Sequence, residues 1–172
     1  IEHANSLDSI DKLSARFNEL CGIGKPSIIL TNPPFGSGYD LRIKESSILS
    51  QYRNGHQWEV SNSGEILYSD KLNDRQGIAP ELLFLEKCLA WVKEGGIIGI
   101  VMAKGQLDNR EAFAIRKTIC NQAQILAIIN LHEDTFEPFC GSKASVIFLR
   151  KQSTVSSDYR IFMAISNKVG QT

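Results

Sequence analysis

The chain has 172 residues, 42% of them hydrophobic and 22% charged, with 19 basic side chains balanced by 19 acidic ones. That length holds one domain with a sizeable core, and the mixture excludes a wholly disordered, collagen-like or disulfide-framework chain. Zero net charge gives no general electrostatic case for nucleic acid or membrane, although a local basic patch can still bind either. The longest clean apolar run, Ile97 to Ala103, is far short of the roughly 20 residues that cross a bilayer. The opening Ile1-Glu2-His3-Ala4 lacks the basic head and apolar stretch of a secretory signal. Because its first residue is not Met, the chain is expected to be either processed or a piece of a longer protein.

In chain order, Leu7, Ile10, Leu13, Phe17 and Leu20 recur at helical spacing, with Asp8 or Ser9 to cap the start and Gly22 and Gly24 to end the helix. Ser27 to Thr31 reads as a buried strand, cut off by Asn32-Pro33-Pro34. From Tyr39 to Gly77 the sequence turns polar, interrupted only by Trp58 to Val60 and Ile66 to Tyr68. A connection that long is a functional loop, a lid or a disordered segment, the competing reading being a solvated insertion with a small hairpin. Pro80 suits the first turn of a second helix lined by Leu82, Leu85, Leu89 and Val92. Gly95-Gly96 stops it, and Ile97 to Met102 follows, apolar on both faces like the interior strand of a parallel sheet. Asp108-x-x-Glu111 resembles a capping box for a helix through Cys120. Ile125 to Leu131, Ser145 to Leu149 and Tyr159 to Ala164 predict three more strands, the last two close enough to pair as an antiparallel hairpin. This alternation predicts an α/β domain with a mostly parallel sheet.

Cys21, Cys88, Cys120 and Cys140 are scattered without a C-x-x-C pair, which points to a reducing compartment and to cysteines serving as small core hydrophobes. Neither they nor His3, His56 and His132 fall at zinc-ligand spacings, so no metal is expected.

The sharpest local feature is Asn32-Pro33-Pro34-Phe35, followed by Gly36, at the carboxyl end of a strand, where open α/β sheets place their ligands. Two prolines fix φ and remove two backbone donors, leaving carbonyls without ladder partners. The Asn32 amide adds a side-chain acceptor. Two acceptors at one spot suit an amino group with two protons to donate, and Phe35 offers a face for a planar base. Gly36 and Gly38 let the following chain turn away. A plain strand-to-loop stop remains the competing reading, since N-P dipeptides mark turns.

Asn32 to Gly36 matches the [N/D]-P-P-[F/Y/W] signature, and the chain resembles the S-adenosylmethionine-dependent amino-group N-methyltransferases. It looks most like the modification subunit of type I restriction enzymes, which methylates adenine N6 in DNA. The resemblance extends through Gly77 to Leu85, Gly96 to Met102, Arg116-Lys117, Ile128 to Leu131, Phe136 and Gly141 to Lys151. Ile161 to Met163 and Lys168 to Gly170 resemble the family's tail. It implies the C-terminal part of a Rossmann-like methyltransferase fold, residues 1–172 forming a partial catalytic domain with 39–77 inserted in it. Asn32 and the Pro33 carbonyl would accept from the adenine amino group, Pro34 would hold the loop rigid, and Phe35 would stack on a base flipped from the duplex. His3-Ala4-Asn5-Ser6-Leu7 resembles the loop after the third strand, where the family contacts cofactor or target adenine, which makes Asn5 a cofactor-contact candidate or, alternatively, a cap leading the next helix.

The resemblance also implies DNA, a specificity subunit and a restriction subunit as partners, no membrane, and a bacterial or archaeal cytoplasm. The sequence departs from the family in two respects. The glycine-rich cofactor loop belongs upstream of Ile1, and Ala103-Lys104-Gly105 stands where the family more often has a proline turn. The isolated chain is therefore expected to be inactive. Two alternatives stay open: methylation of a protein glutamine or an rRNA base, and a silent half-domain that packs against the rest of its complex. Arg42, Lys44, Arg53 and Arg75 are the insertion's candidates for phosphate contact.

Overall fold

In the computed structural model, which describes residues 3–34, 41–110, 112–138, 141–154, 156 and 158–169, the first helix opens later than its apolar spacing predicts. Ile10–Lys12 forms a short 3-10 turn that Ser9 does not cap with its side chain. Helix α1 (Ala15–Cys21) begins at Ser14, whose hydroxyl accepts the Phe17 N–H at 3.2 Å. That bond satisfies one of the donors left over at a helix start. Gly22 ends α1 as expected, because a Cβ there would collide with the Asn18 carbonyl.

Strand β1 (Ile28–Thr31) follows, and then the insertion. The insertion carries a short helix α2 (Ser46–Leu49), a 3-10 turn Arg53–Gly55, and an antiparallel hairpin of β2 (His56–Val60) and β3 (Ile66–Leu72). The hairpin strands fall on the two apolar interludes of the polar stretch. After them come α3 (Pro80–Trp91), β4 (Ile97–Ala103), α4 (Lys104–Asp108) and α5 (Phe113–Gln122). Strands β5 (Ala123–Asn130), β6 (Ala144–Lys151) and β7 (Phe162–Ile165) complete the chain. None of the described helices is long and apolar enough to cross a membrane.

Five strands form one sheet in the order β1-β4-β6-β5-β7, and β1, β4, β5 and β7 share one direction while β6 runs against it. This is the mixed, mostly parallel α/β sheet expected. One expectation fails: β6 and β7 do not pair as a hairpin. β6 inserts between β4 and β5, antiparallel to both, and β7 pairs in parallel with β5 from Ala127↔Phe162 to Asn130↔Ile165. With both its edges already occupied, β6 cannot pair with the last strand, which takes the outer edge of β5.

The core lies on one face of the sheet. Leu82, Leu83, Leu85 and Leu89 of α3 and Ile115 and Ile119 of α5 pack with Ile98, Ile100 and Met102 of β4 and Ile147 and Leu149 of β6. Alternation along β4 sends these three side chains to the same side. Burying each such side chain stabilises the fold by about 1.5–3 kcal/mol. On the other face Leu30 of β1 reaches over Gly99 of β4, where an added Cβ would sit 2.7 Å from Leu30 Cδ2 and 3.0 Å from the Phe148 ring. Ser27 to Thr31 is accordingly not buried as its apolar run predicts. β1 is an edge strand, with Ile28 61% and Leu30 73% exposed.

Two other expectations need correction. The bond that turns the chain into α5 comes from Asn109, whose Oδ1 accepts the Ala112 N–H at 2.9 Å, because α4 runs through Asp108; Glu111 lies outside the described residues. Of the cysteines, Cys88 is buried in the core, but Cys21 and Cys120 face solvent on their helices, and Cys140 lies outside the described residues.

The insertion is tied to the core at defined points. The Glu86 carboxylate on α3 accepts the backbone N–H groups of Arg53 and Asn54 and the Asn54 side-chain amide, at 2.7, 3.0 and 2.6 Å. Trp58 of β2 stacks on Phe113 of α5, with centroids 6.0 Å apart and planes at 30°. At the exit, Ile43 and Ile78 form a β-bridge. Gly77, at φ +69°, lets the chain pass so close beneath Arg42 to Lys44 that a Cβ would come within 2.9 Å of the Ile43 carbonyl.

Candidate functional site

β1 stops at Thr31, opposite Ile100, whereas β4 continues to Ala103 and stays paired with β6 as far as Ala144. The reason is local: Pro33 and Pro34 have no N–H to continue the ladder. Asn32-Pro33-Pro34 therefore leaves the sheet in a step beside β4, at the carboxyl end of the parallel strands. Asn32 is exposed, and its side-chain amide has no hydrogen-bond partner among the described residues. Pro33 is buried and Pro34 exposed. Phe35, Gly36 and Gly38, with which the signature ends, lie outside the described residues.

Pro34 lines a cavity of about 620 Å³ together with Arg42, Lys44, Glu45 and Pro80. That volume is in the range of small-molecule sites. Beside Pro80 at the start of α3, Glu81 is only 2% exposed. Burial pushes its carboxyl above the usual range, opposed by its own backbone N–H and by the Arg42 guanidinium. The sequence marks Glu81 only as an acidic residue in a first helical turn; its burial is seen only in the folded chain.

Asn5 is exposed, and its Oδ1 accepts the Leu7 N–H at 3.1 Å, a turn within its own loop. The loop is anchored by Tyr52, whose hydroxyl donates to the Leu7 carbonyl at 2.8 Å, and by Lys87, whose Nζ donates to the Asp8 carbonyl at 2.6 Å. Burial pushes the Lys87 ammonium below its ordinary pKa and the Tyr52 hydroxyl above its own. Ser6, next to Asn5, and Thr31, next to Asn32, line one small cavity of about 190 Å³ between β1 and α3. The two candidate segments thus converge on the end of β1.

The insertion's four basic candidates separate. Arg42 donates from Nε and Nη2 to the Gln76 and Gly77 carbonyls at 2.7–3.1 Å, which makes it a brace across the insertion's base. Arg53 lies over the Tyr68 ring, 6.0 Å from its centroid. Lys44 lines the cavity beside Pro34. Arg75 lines a second cavity with Arg42 and with Arg110, a residue that no spacing in the sequence connects to the insertion.

The small cavity beside β1 does not by itself hold a methyl-donor cofactor. It is below the roughly 300 Å³ at which ligand sites begin. The positive-φ glycines do other work: Gly24 and Gly95 follow helices, Gly64 turns the hairpin, and Gly77 underlies the Arg42 segment. Among the described residues, no group of three or more His, Cys, Asp or Glu side chains could hold a metal ion.

The fold is similar to those of several solved structures. One is a Listeria monocytogenes protein assigned to the class I S-adenosylmethionine-dependent methyltransferases, with a TM-score of 0.57, 15% identity, and coverage of 84% of this chain and 38% of that one. Another is a modification subunit assigned to a type I restriction enzyme of Vibrio vulnificus YJ016, with a TM-score of 0.55, 19% identity, and coverage of 93% and 31%. A third is the M protein of the type I restriction enzyme EcoKI, with a TM-score of 0.51, 20% identity, and coverage of 86% and 23%. The chain thus spans 23–38% of the length of these proteins and shares the fold of S-adenosylmethionine-dependent methyltransferases. Comparison with curated protein sequences gives no significant match. The N-6 DNA methylase family, in contrast, matches residues 1–172. Matched along its whole length, and with its Asn-Pro-Pro step at the carboxyl edge of the sheet, the chain belongs to the N-6 DNA methylase family.

Proposed function

We propose that the protein methylates the N6 amino group of adenine in DNA, with S-adenosylmethionine as methyl donor, as the modification subunit of a type I restriction-modification system. The observation that carries this reading is the exposed amide of Asn32, without a hydrogen-bond partner among the described residues, in the step beside β4. Its side-chain carbonyl and the Pro33 carbonyl accept the two amino protons and so raise electron density on a nitrogen otherwise conjugated into the ring. Pro34 keeps the segment rigid, and Phe35 stacks on the extruded base, since N6 cannot be reached for this reaction within the stack. The work of these residues is positioning more than proton transfer. When bound, S-adenosylmethionine supplies an electrophilic methyl group.

The cofactor's main contacts belong to a segment upstream of Ile1, and residues 1–172 are then the second part of a catalytic domain. The exposed apolar edge of β1 and the small cavity beside it support this division. Asn5 retains a cofactor contact through its amide nitrogen, its oxygen being used in its own turn. Specificity and restriction subunits complete the assembly in the cytoplasm of a bacterium or archaeon, and the 172-residue chain alone transfers no methyl group.

The test is transfer of labelled methyl to DNA by the full-length protein with its partner subunits, followed by identification of the modified base. Asn32→Ala is expected to lower transfer by roughly 10²-fold or more, the scale of removing one preorganised polar group from a reacting centre. Undiminished transfer by this variant would sink the assignment. Labelling of RNA or of a protein glutamine instead of DNA would overturn the substrate.

A further inference from the structure

The cavity beside Pro34 and the cavity beyond it share one wall, Arg42. The second cavity is the larger, about 670 Å³, and lies between the insertion and the turn into α5. Arg75, from the loop after β3, and Arg110, from the turn after α4, stand exposed along it. Among its described lining residues Glu59 is the one carboxylate beside three guanidinium groups. Trp58, Gln57 and Asn73 add an aromatic surface and neutral hydrogen-bonding groups.

Positive charge concentrated here in a protein of zero net charge is a local feature, gathered from segments far apart in the sequence. Both supporting walls are braced. Arg42 is held on the Gln76 and Gly77 carbonyls, and Trp58 is held on Phe113. The groove is therefore formed before any ligand arrives. An open channel lined by guanidinium groups, with amides and an aromatic surface beside them, matches a sugar–phosphate backbone, for which arginine provides paired donors.

We propose that this groove seats the DNA backbone flanking the extruded adenine, with Arg75 and Arg110 contacting phosphates and Arg42 acting as the positioning residue between groove and base. The inference rests on the DNA-methyltransferase reading and adds a path for the strand. From the step at Asn32, the backbone passes Pro34 and Arg42 and runs along the insertion hairpin toward α5.

The test measures DNA affinity against salt concentration for the full-length protein with its partner subunits. Each phosphate contact contributes about 0.9 to the slope of log affinity on log salt. Arg75→Gln with Arg110→Gln is therefore expected to make the slope shallower by about 1.8 and to weaken binding by roughly tenfold or more at physiological salt. Arg75→Lys with Arg110→Lys keeps both charges and is expected to retain the slope, which separates phosphate contact from misfolding. Lys93→Gln, which removes an exposed charge from the turn between α3 and β4, outside the groove, is the control.

A wild-type slope and affinity in the double glutamine variant would overturn the groove, as would a shallower slope in the lysine variant. If the wild type methylates DNA while the glutamine variant binds normally, only this inference fails. If the wild type binds RNA or an acidic protein segment here and leaves DNA unmethylated, the functional reading fails with it.

Discussion

β1 and β4 are parallel neighbours with nearly the same composition, and their fates differ. Ile98, Ile100 and Met102 of β4 are fully buried, whereas Ile28 and Leu30 of β1 are 61% and 73% exposed. β4 has a strand on each side and α3 over one face; β1 has a strand on one side only. An apolar run therefore records a preference for burial, and position in the sheet decides whether this chain can satisfy it. The exposed strand is also the one that ends in Asn32-Pro33-Pro34, so the signature stands at the margin of the core and next to its most open surface.

Substitutions along the two strands test this contrast. Ile100→Ala removes a fully buried side chain from beneath α3 and is expected to cost about 2–5 kcal/mol by denaturant unfolding; a loss below 1 kcal/mol would mean that β4 is not the centre of the core. Leu30→Ser is expected to change the stability of the 172-residue chain by no more than about 0.5 kcal/mol, as at other exposed sites. In a longer protein that carries the upstream segment, the same change should cost roughly 1.5–3 kcal/mol, because Leu30 is then covered. Equal effects in the two proteins would refute the division of the catalytic domain proposed above. Gly99→Ala, at the seam between the strands, is expected to cost about 1 kcal/mol: the added methyl meets the mobile end of Leu30, which can move aside, and the Phe148 ring, which has less room. A stabilised variant would show that the seam is looser than the 2.7 and 3.0 Å approaches imply.

Much of this architecture is legible in the residues. Proline at 80, glycine at 22 and the apolar run from Ile97 each mark a boundary that the structure keeps, because helix starts, helix stops and interior strands are local decisions, whereas α3 ends at Trp91, with Val92 already extended, before Gly95-Gly96 is reached. The hairpin inside the polar insertion falls on its two apolar interludes for the same reason. The misread boundaries were those with competing local options. Ser14 caps α1 in place of Asp8 or Ser9, and Asn109 makes the bond into α5, since α4 takes up Asp108. For the last strand, proximity in sequence favours a hairpin with β6, but β6 is paired on both sides and a vacant sheet edge lies on β5.

The site divides along the same line. Asn32, Pro33, Pro34 and Phe35 are contiguous, and the absence of two backbone donors is written in their covalent structure, so the end of β1 at this motif is read directly from the sequence. Arg42, Arg75 and Arg110 are not contiguous, and only the folding of the insertion against α5 brings them to one groove and leaves Arg53 on Tyr68. Likewise, Glu81 and Glu86 look alike in sequence as acidic residues of one helix. Folding buries the first beside Pro80 and sets the second to hold the 3-10 turn at Arg53–Gly55. Residue identity was enough for the class of fold and for the step that ends β1, because both depend on neighbours in the chain. Which strand stays open, and where positive charge collects, depend on neighbours in space.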